Sequence, residues 1–142
     1  MHTTFLAELE PDPDGGFVVT FPDVPEVIAG GRDRAAALDE AAKALGAAML
    51  FRAKDGTDLP APSTKRGTPV SLPVLDALKL AVIDRFAASG MTKAQLAERL
   101  GKVESEARRI LDPMHVTKAD RLERALAVLG ARATIEVSDL AA

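Results

Sequence analysis

The feature that most constrains this chain is a change of hydrophobic rhythm at residues 72–74. Before it, apolar residues recur at every second position in short runs broken by Pro, Asp and Gly. After it they recur at three- and four-residue spacing, in longer runs punctuated by single glycines. The first rhythm belongs to half-buried strands and the second to amphipathic helices. Strands and helices segregated in this way define an α+β fold. The expected organisation is one unit over residues 1–72 and an all-helical unit over residues 73–142.

In the first part, Phe5, Ala7 and Leu9 alternate with Thr4, Leu6, Glu8 and Glu10, which predicts a strand with a solvated face. Residues 11–16 (PDPDGG) combine fixed φ at proline with the positive φ open to glycine, the chemistry of a hairpin turn. Phe17, Val19 and Phe21 form the return strand, ended by Pro22 and Pro25, and Val27, Ile28 and Ala29 make a short third one. Asp33 is a good N-cap for a helix with Ala37, Leu38, Ala41, Leu45 and Met49 on its core face, stopping near Gly56. Residues 59–67 read as extended and polar. Residues 68–72 (TPVSL) read as a fourth strand, with Pro69 pointing to an edge.

The second part opens with a helix carrying Leu75, Leu78, Ala81, Val82 and Phe86 and ending at Ser89-Gly90. Residues 90–111 (GMTKAQLAERLGKVESEARRIL) then read as two short helices about Gly101. Thr92 and Gln95 have the spacing of a capping box. Leu96, Ala97 and Leu100 form one apolar face, and Ala107, Ile110 and Leu111 the next. Two helices crossing at a short glycine turn are the helix-turn-helix unit, whose second helix enters a DNA major groove. Candidate DNA-binding residues are Thr92, Lys93, Gln95 and Lys102, with Lys93 and Gln95 placed for phosphate, and Ser105, Arg108 and Arg109 facing the groove. Val103 stands where a capping Ser or Asp is expected. Glu104 and Glu106 suit the positive end of a helix dipole but repel phosphate, although glutamate can accept from cytosine N4. Thr117 is the expected cap of a last helix with Leu122, Ala125, Leu126 and Leu129, closed by Gly130. Residues 133–137 (ATIEV) read as a final strand.

Composition removes several function classes. There is no cysteine, which excludes disulfides, thiol catalysis and thiolate metal sites, and His2 and His115 form no zinc pattern. With 4% aromatics and neither Trp nor Tyr, a base-stacking platform is unlike this chain. No metal site and no cofactor are expected. Glu8, Glu10, Asp12, Asp14, Asp23 and Glu26 supply carboxylates, but Asp-Pro-Gly clusters are usually turn chemistry rather than a two-metal centre. The start of the chain lacks a secretory pattern, and the apolar run over residues 44–51 is too short to span a bilayer, so a cytoplasmic protein with no membrane partner is expected. The net charge of −3 divides into −4 over residues 1–73 and +1 over residues 74–142.

The order of motifs resembles the HicB antitoxin family. The resemblance runs through FPDVPEV (residues 21–27), GGRDRAAALDEAAKAL, LPVLDALKLAV, MTKAQLAERLG, RRILDPMHVTKADRLERALAVLG and ATIEV, and covers nearly the whole chain. Glu26 and Val27 depart from it, standing where many members have Gly-Cys. The resemblance implies a partial RNase H-like β-β-β-α-β domain without nuclease activity, followed by an Xre-like helix-turn-helix domain. It implies a non-enzymatic type II antitoxin that binds a HicA-type toxin, an mRNA-cleaving ribonuclease, and represses its own operon as a homodimer or tetramer on operator DNA. An acidic N-terminal half complements a basic ribonuclease, and Phe21, Asp23 and Glu26 are the expected toxin contacts. The alternative reading is a transcription regulator whose N-terminal domain senses a small ligand, and a metal-dependent nuclease is third.

Overall fold

A computed structural model describes residues 1–140; the last two residues of the expected C-terminal unit lie outside it. Its elements are β1 (Thr4–Pro11), β2 (Phe17–Thr20), β3 (Ile28–Gly31), α1 (Arg34–Asp55), β4 (Thr68–Ser71), α2 (Val74–Ser89), α3 (Lys93–Leu100), α4 (Glu104–Leu111) and α5 (Ala119–Val128). The class is α+β, with the strands confined to the first part.

The sheet has the order β3-β2-β1-β4 with every neighbour antiparallel. Because β3 and β4 lie at opposite edges, α1 crosses one face of the sheet to join them. Asp33 starts α1 by accepting from the Ala36 N–H at 2.8 Å, and Gly56 at φ +71° ends it. Phe5, Ala7, Val19 and Val70 face α1 and are buried with Ala37, Ala41, Leu45 and Met49. The register pairs Glu8 with Thr20, Glu10 with Val18, and Thr20 with Ile28. Strand alternation therefore turns Thr4, Leu6, Glu8, Glu10, Val18, Thr20 and Ile28 to the opposite face. Among the described residues α1 is the only helix that packs on the sheet.

Helix α2 is shared between two hydrophobic cores. Its Leu80 joins the sheet core, while Leu78 and Val82 join a second core built from Leu96, Ala97, Leu100, Ala107, Ile110, Leu122, Ala125 and Leu126. A helix covered on two sides is apolar nearly all round, and the face expected from its rhythm is only one of the two it buries. Leu75, expected on that face, is 44% exposed in the first turn and lines a cleft with Phe51 and Met114. The two parts approach closely at Gly46 of α1. A Cβ there would meet the Asp76 carboxylate and lie 3.0 Å from Pro73 Cδ, so a larger residue would force the Asp76 side chain aside. Burial at this junction pushes the Asp76 carboxyl up.

Two expectations are corrected. Residues 133–137 form no strand; Ile135 and Val137 are 67% and 89% exposed. Alternation makes a segment competent for a ladder, but no backbone hydrogen bond joins these residues to a strand among the described residues, although they line a cleft with Pro69 and Ser71 of the edge strand β4. Thr117 is not the cap of α5: Lys118 holds that position without a side-chain bond, and Thr117 is buried as an acceptor.

Candidate nucleic-acid and partner interfaces

The local chemistry of α3 and α4 is set by two turns. The Gln95 N–H donates to Thr92 Oγ1 at 3.1 Å, and the Thr92 N–H donates to Gln95 Oε1 at 2.9 Å. The capping box is formed, so both side chains are engaged in starting α3. Gly101 at φ +67° ends that helix, and the Lys102 N–H donates to the Ala97 carbonyl at 2.9 Å. This left-handed closure redirects the chain within three residues. Val103 then opens α4 with no side-chain cap. Leu96, Ala97, Leu100, Ala107 and Ile110 are buried, so the remaining faces of both helices are free.

Lys93, Lys102, Ser105, Arg108 and Arg109 are all exposed on this pair. The two arginines are not free cations. Arg108 Nη2 lies 2.9 Å from Glu104 Oε1, and Arg109 Nη2 lies 2.7 Å from Glu106 Oε1. Glu106 also meets Arg121 of α5 at 3.4 Å. The Arg109 hydrogen bond, with Arg121 and Lys102 adding their charge, holds the Glu106 carboxyl below its ordinary value. The outer face of α4 thus carries positive groups already paired with its own acids.

Sequence reasoning missed Lys79, a 4% exposed lysine in the middle of α2. Its Nζ donates to the carbonyls of Arg109 and Ile110 at 3.1 and 2.7 Å and to Thr117 Oγ1 at 2.7 Å. The last carbonyls of a helix lack partners within it. Lys79 supplies one from a neighbouring helix and so ties the end of α4 to α2 and to the start of α5. Burial pushes the ammonium down to about 8, while the charge of Asp112 acts in the other direction. The available signal was a lone cation inside the apolar run LDALKLAVI.

The three expected contacts of the N-terminal part are brought together around the turn between β2 and β3, with unequal freedom. Phe21 is 1% exposed and belongs to the sheet core. Asp23 accepts from Ser63 Oγ at 2.5 Å and from the Ser63 and Thr64 N–H groups at 3.0 and 2.9 Å. The Ser63 hydroxyl, followed by those two amides, holds its carboxyl far below the usual range. Glu26 takes Arg52 in a two-pronged pair at 2.6 and 2.8 Å, which lowers its carboxyl as well. Arg52 also donates to the Asp58 carbonyl at 3.2 Å. Asp23 and Glu26 therefore pin residues 58–64 against the β2–β3 turn.

A second accessible surface is the helix-free sheet face, which pairs the carboxylates of Glu8 and Glu10 with Leu6, Val18 and a 71% exposed Ile28. Among the described residues, no group of three His, Asp or Glu side chains is placed to hold a metal ion, and no helix is long and apolar enough to cross a membrane.

Residues 4–81 match the family model described as the HicB_like antitoxin of bacterial toxin–antitoxin systems. The chain is similar to Antitoxin HicB 1 of Photorhabdus laumondii, with 34% identity over 129 residues that cover 91% of this chain and 83% of that protein. It is also similar to Antitoxin HicB of Escherichia coli K12, with 34% identity over 124 residues, 86% and 90% of the two chains. Antitoxin HicB of Pseudomonas fluorescens is 31% identical over 136 residues, 94% and 92% of the two. A four-stranded sheet with one helix, joined to a helical part, is here the fold of an antitoxin of a bacterial toxin–antitoxin system. The chain belongs to the HicB-like antitoxin family.

Proposed function

We propose that this chain neutralises a HicA-type toxin by direct contact through its N-terminal part and represses its own operon through α3 and α4. In this reading residues 1–72 are a partial RNase H-like domain without nuclease activity. Residues 73–142 are an Xre-like helix-turn-helix domain that dimerises on operator DNA. The observation that carries the first half is the sheet face without a helix. It offers apolar Leu6, Val18 and Ile28 beside the acids Glu8 and Glu10. A ribonuclease that grips RNA needs a cationic surface, and acids on the opposing surface speed and orient its capture. Asp23 and Glu26, the other expected contacts, hold residues 58–64 against the turn that joins β2 to β3. The second half is supported by the capped α3, the glycine turn and the exposed Lys93, Lys102, Ser105, Arg108 and Arg109.

Co-expression with the adjacent small open reading frame tests the first half. The product is expected to arrest growth alone, to be silenced by this chain, and to co-purify with it. Replacing Glu8 and Glu10 together by Lys is expected to abolish co-purification without unfolding the protein. A harmless neighbour, or a toxin that binds the Glu8/Glu10 variant unchanged, overturns the assignment of that face. For the second half, a dimer is expected on a palindrome with half-sites about 34 Å apart, and Arg108→Ala with Arg109→Ala is expected to weaken it while toxin capture persists.

A further inference from the structure

Helix α4 is closed differently from the other helices. Helices α1, α2 and α3 each end on a left-handed glycine, at Gly56, Gly90 and Gly101, and α5 is followed by Gly130 at φ +77°. Such a closure turns the chain back so that its own N–H groups meet the last carbonyls. Helix α4 has no such glycine. Asp112 follows it at φ −78°, and then Pro113, which has no N–H to give. The Asp112 N–H reaches the Arg109 carbonyl at 3.2 Å, but no backbone N–H among the described residues meets the Ile110 carbonyl. Lys79 of α2 meets it instead, at 2.7 Å, and reaches the Arg109 carbonyl at 3.1 Å. A side chain from a neighbouring helix thus closes α4 where the chain itself closes the others.

What this exchange does follows from direction. Ala107 and Ile110 seat α4 by burial, but apolar contact is non-directional and leaves a short helix free to roll. Hydrogen bonds weaken steeply as they bend. Three of them to one nitrogen, with Thr117 Oγ1 as the third acceptor, hold the end of α4 at one angle to α2. Arg109, proposed to face the groove, carries one of the two bonded carbonyls, and Arg108 precedes it. Stability does not call for a cation here. Burial pushes the ammonium down to about 8, so the folded protein holds this charge against a desolvation cost. We infer that Lys79 is the positioning residue of the DNA-reading helix, setting the angle at which α4 presents Ser105, Arg108 and Arg109 to a groove. At 4% exposure Lys79 does not itself meet DNA. The inference rests on the proposed operator binding and concerns its specificity. Base edges are read by directional bonds, whereas attraction to phosphate tolerates a change of angle.

The test compares the full-length protein with its Lys79→Met and Lys79→Gln variants on two DNA fragments of equal length. One is the DNA immediately upstream of its own gene, and the other is an unrelated sequence. Lys79→Met keeps the apolar stem and removes the donors. It is expected to melt no lower than the wild type by circular dichroism. It is also expected to bind the unrelated fragment with unaltered affinity and salt slope, because Lys79 neutralises no phosphate. Its preference for the upstream fragment is expected to fall roughly tenfold per half-site and roughly a hundredfold on a two-half-site operator, the cost of about one mismatched base pair in each. Lys79→Gln returns an amide donor to the same carbonyls and is expected to recover part of that preference. A preference that survives in Lys79→Met, whether the two affinities hold or fall together, overturns the inference and leaves operator binding intact. A Lys79→Gln variant no better than Lys79→Met also overturns it, because the hydrogen bonds would then not set the angle. Failure of the wild type to prefer the upstream fragment overturns operator binding itself, and this inference with it.

Discussion

Replacing Lys79 by Met exchanges a buried ammonium for an apolar chain of similar length and isolates what the cation does at the end of α4. Burial lowers Lys79 from 10.5 to about 8 in the folded protein. At about 1.4 kcal/mol per unit, that difference is on the order of 3 kcal/mol. Its sign follows from which state holds the proton. Below pH 8 both states are protonated, and the folded state bears the whole desolvation cost. Between pH 8 and 10.5 the folded state releases its proton while the unfolded chain keeps it, so stability rises with pH. Above 10.5 the gain is complete. At pH 7 the substitution removes this cost but leaves the Ile110 carbonyl without a donor, at about 1–3 kcal/mol, whereas the Arg109 carbonyl keeps the Asp112 N–H at 3.2 Å. The variant is therefore expected to lie between neutrality and about 2 kcal/mol of stabilisation at pH 7, from these opposed contributions. The wild type should then gain about 3 kcal/mol relative to the variant by pH 10.5. Urea unfolding followed by far-ultraviolet circular dichroism suits the measurement, since the chain has no Trp or Tyr to report by fluorescence. A gap that stays flat from pH 7 to 10.5 would refute the reasoning. It would mean that the three acceptors compensate burial in full.

Two further outcomes follow from the charge pairs. Asp23→Asn should release residues 58–64 and accelerate tryptic cleavage at Lys65 and Arg66, with the sheet core unaffected; unchanged cleavage would show that the carboxylate does not hold the loop. Because the folded carboxyl lies below its ordinary value, the latch should persist in the wild type from neutral pH down past the usual carboxylate range and open only in stronger acid. Glu104→Gln with Glu106→Gln should free Arg108 and Arg109, tighten binding to the upstream DNA and steepen its salt dependence by about one to two in the log–log slope. An unaltered slope would place both arginines away from phosphate.

What could be read from the residues divides by the range of the interaction. The Asp33 cap, the Gly56 and Gly101 stops and the Thr92–Gln95 box are decided within four residues, so residue type and spacing suffice. Leu6, Glu8 and Glu10 were legible as a solvated strand face for the same reason. Lys79 was not, because its meaning depends on carbonyls 30 and 31 residues away. Asp23 looked like an ordinary turn residue, and its partners lie 40 and 41 residues on. Thr117 carries a hydroxyl that serves equally as a cap or as a buried acceptor, and only the position of Lys79 selects the second. The last alternating run failed differently: its pattern is that of a strand, but among the described residues it makes no ladder with β4, whose edge lies across the same cleft.

The change of rhythm at residues 72–74 marks where strands give way to helices, yet the cores divide the chain later. Leu80, eight residues beyond the boundary, is 1% exposed in the sheet core, and Ala77 packs against the same cluster. The family match likewise runs on to residue 81. The first half of α2 therefore belongs physically to the core that the sheet and α1 share, which it joins by packing on α1 close to Gly46. Removing Leu80 uncovers the α1 side of that core at a cost of about 2–5 kcal/mol, by analogy with large-to-small core substitutions. A fragment of residues 1–72 should accordingly melt at lower temperature and less cooperatively than one of residues 1–90. The longer fragment carrying Leu80→Ala should fall between them. If the two unsubstituted fragments melt alike, α2 contributes nothing to the sheet, and the rhythm boundary is the structural one after all. If they differ as expected, α2 is the common beam of the molecule. Through Leu80 it holds the surface proposed to meet the toxin, and through Leu78, Val82 and Lys79 it sets the attitude of the helix proposed to read DNA.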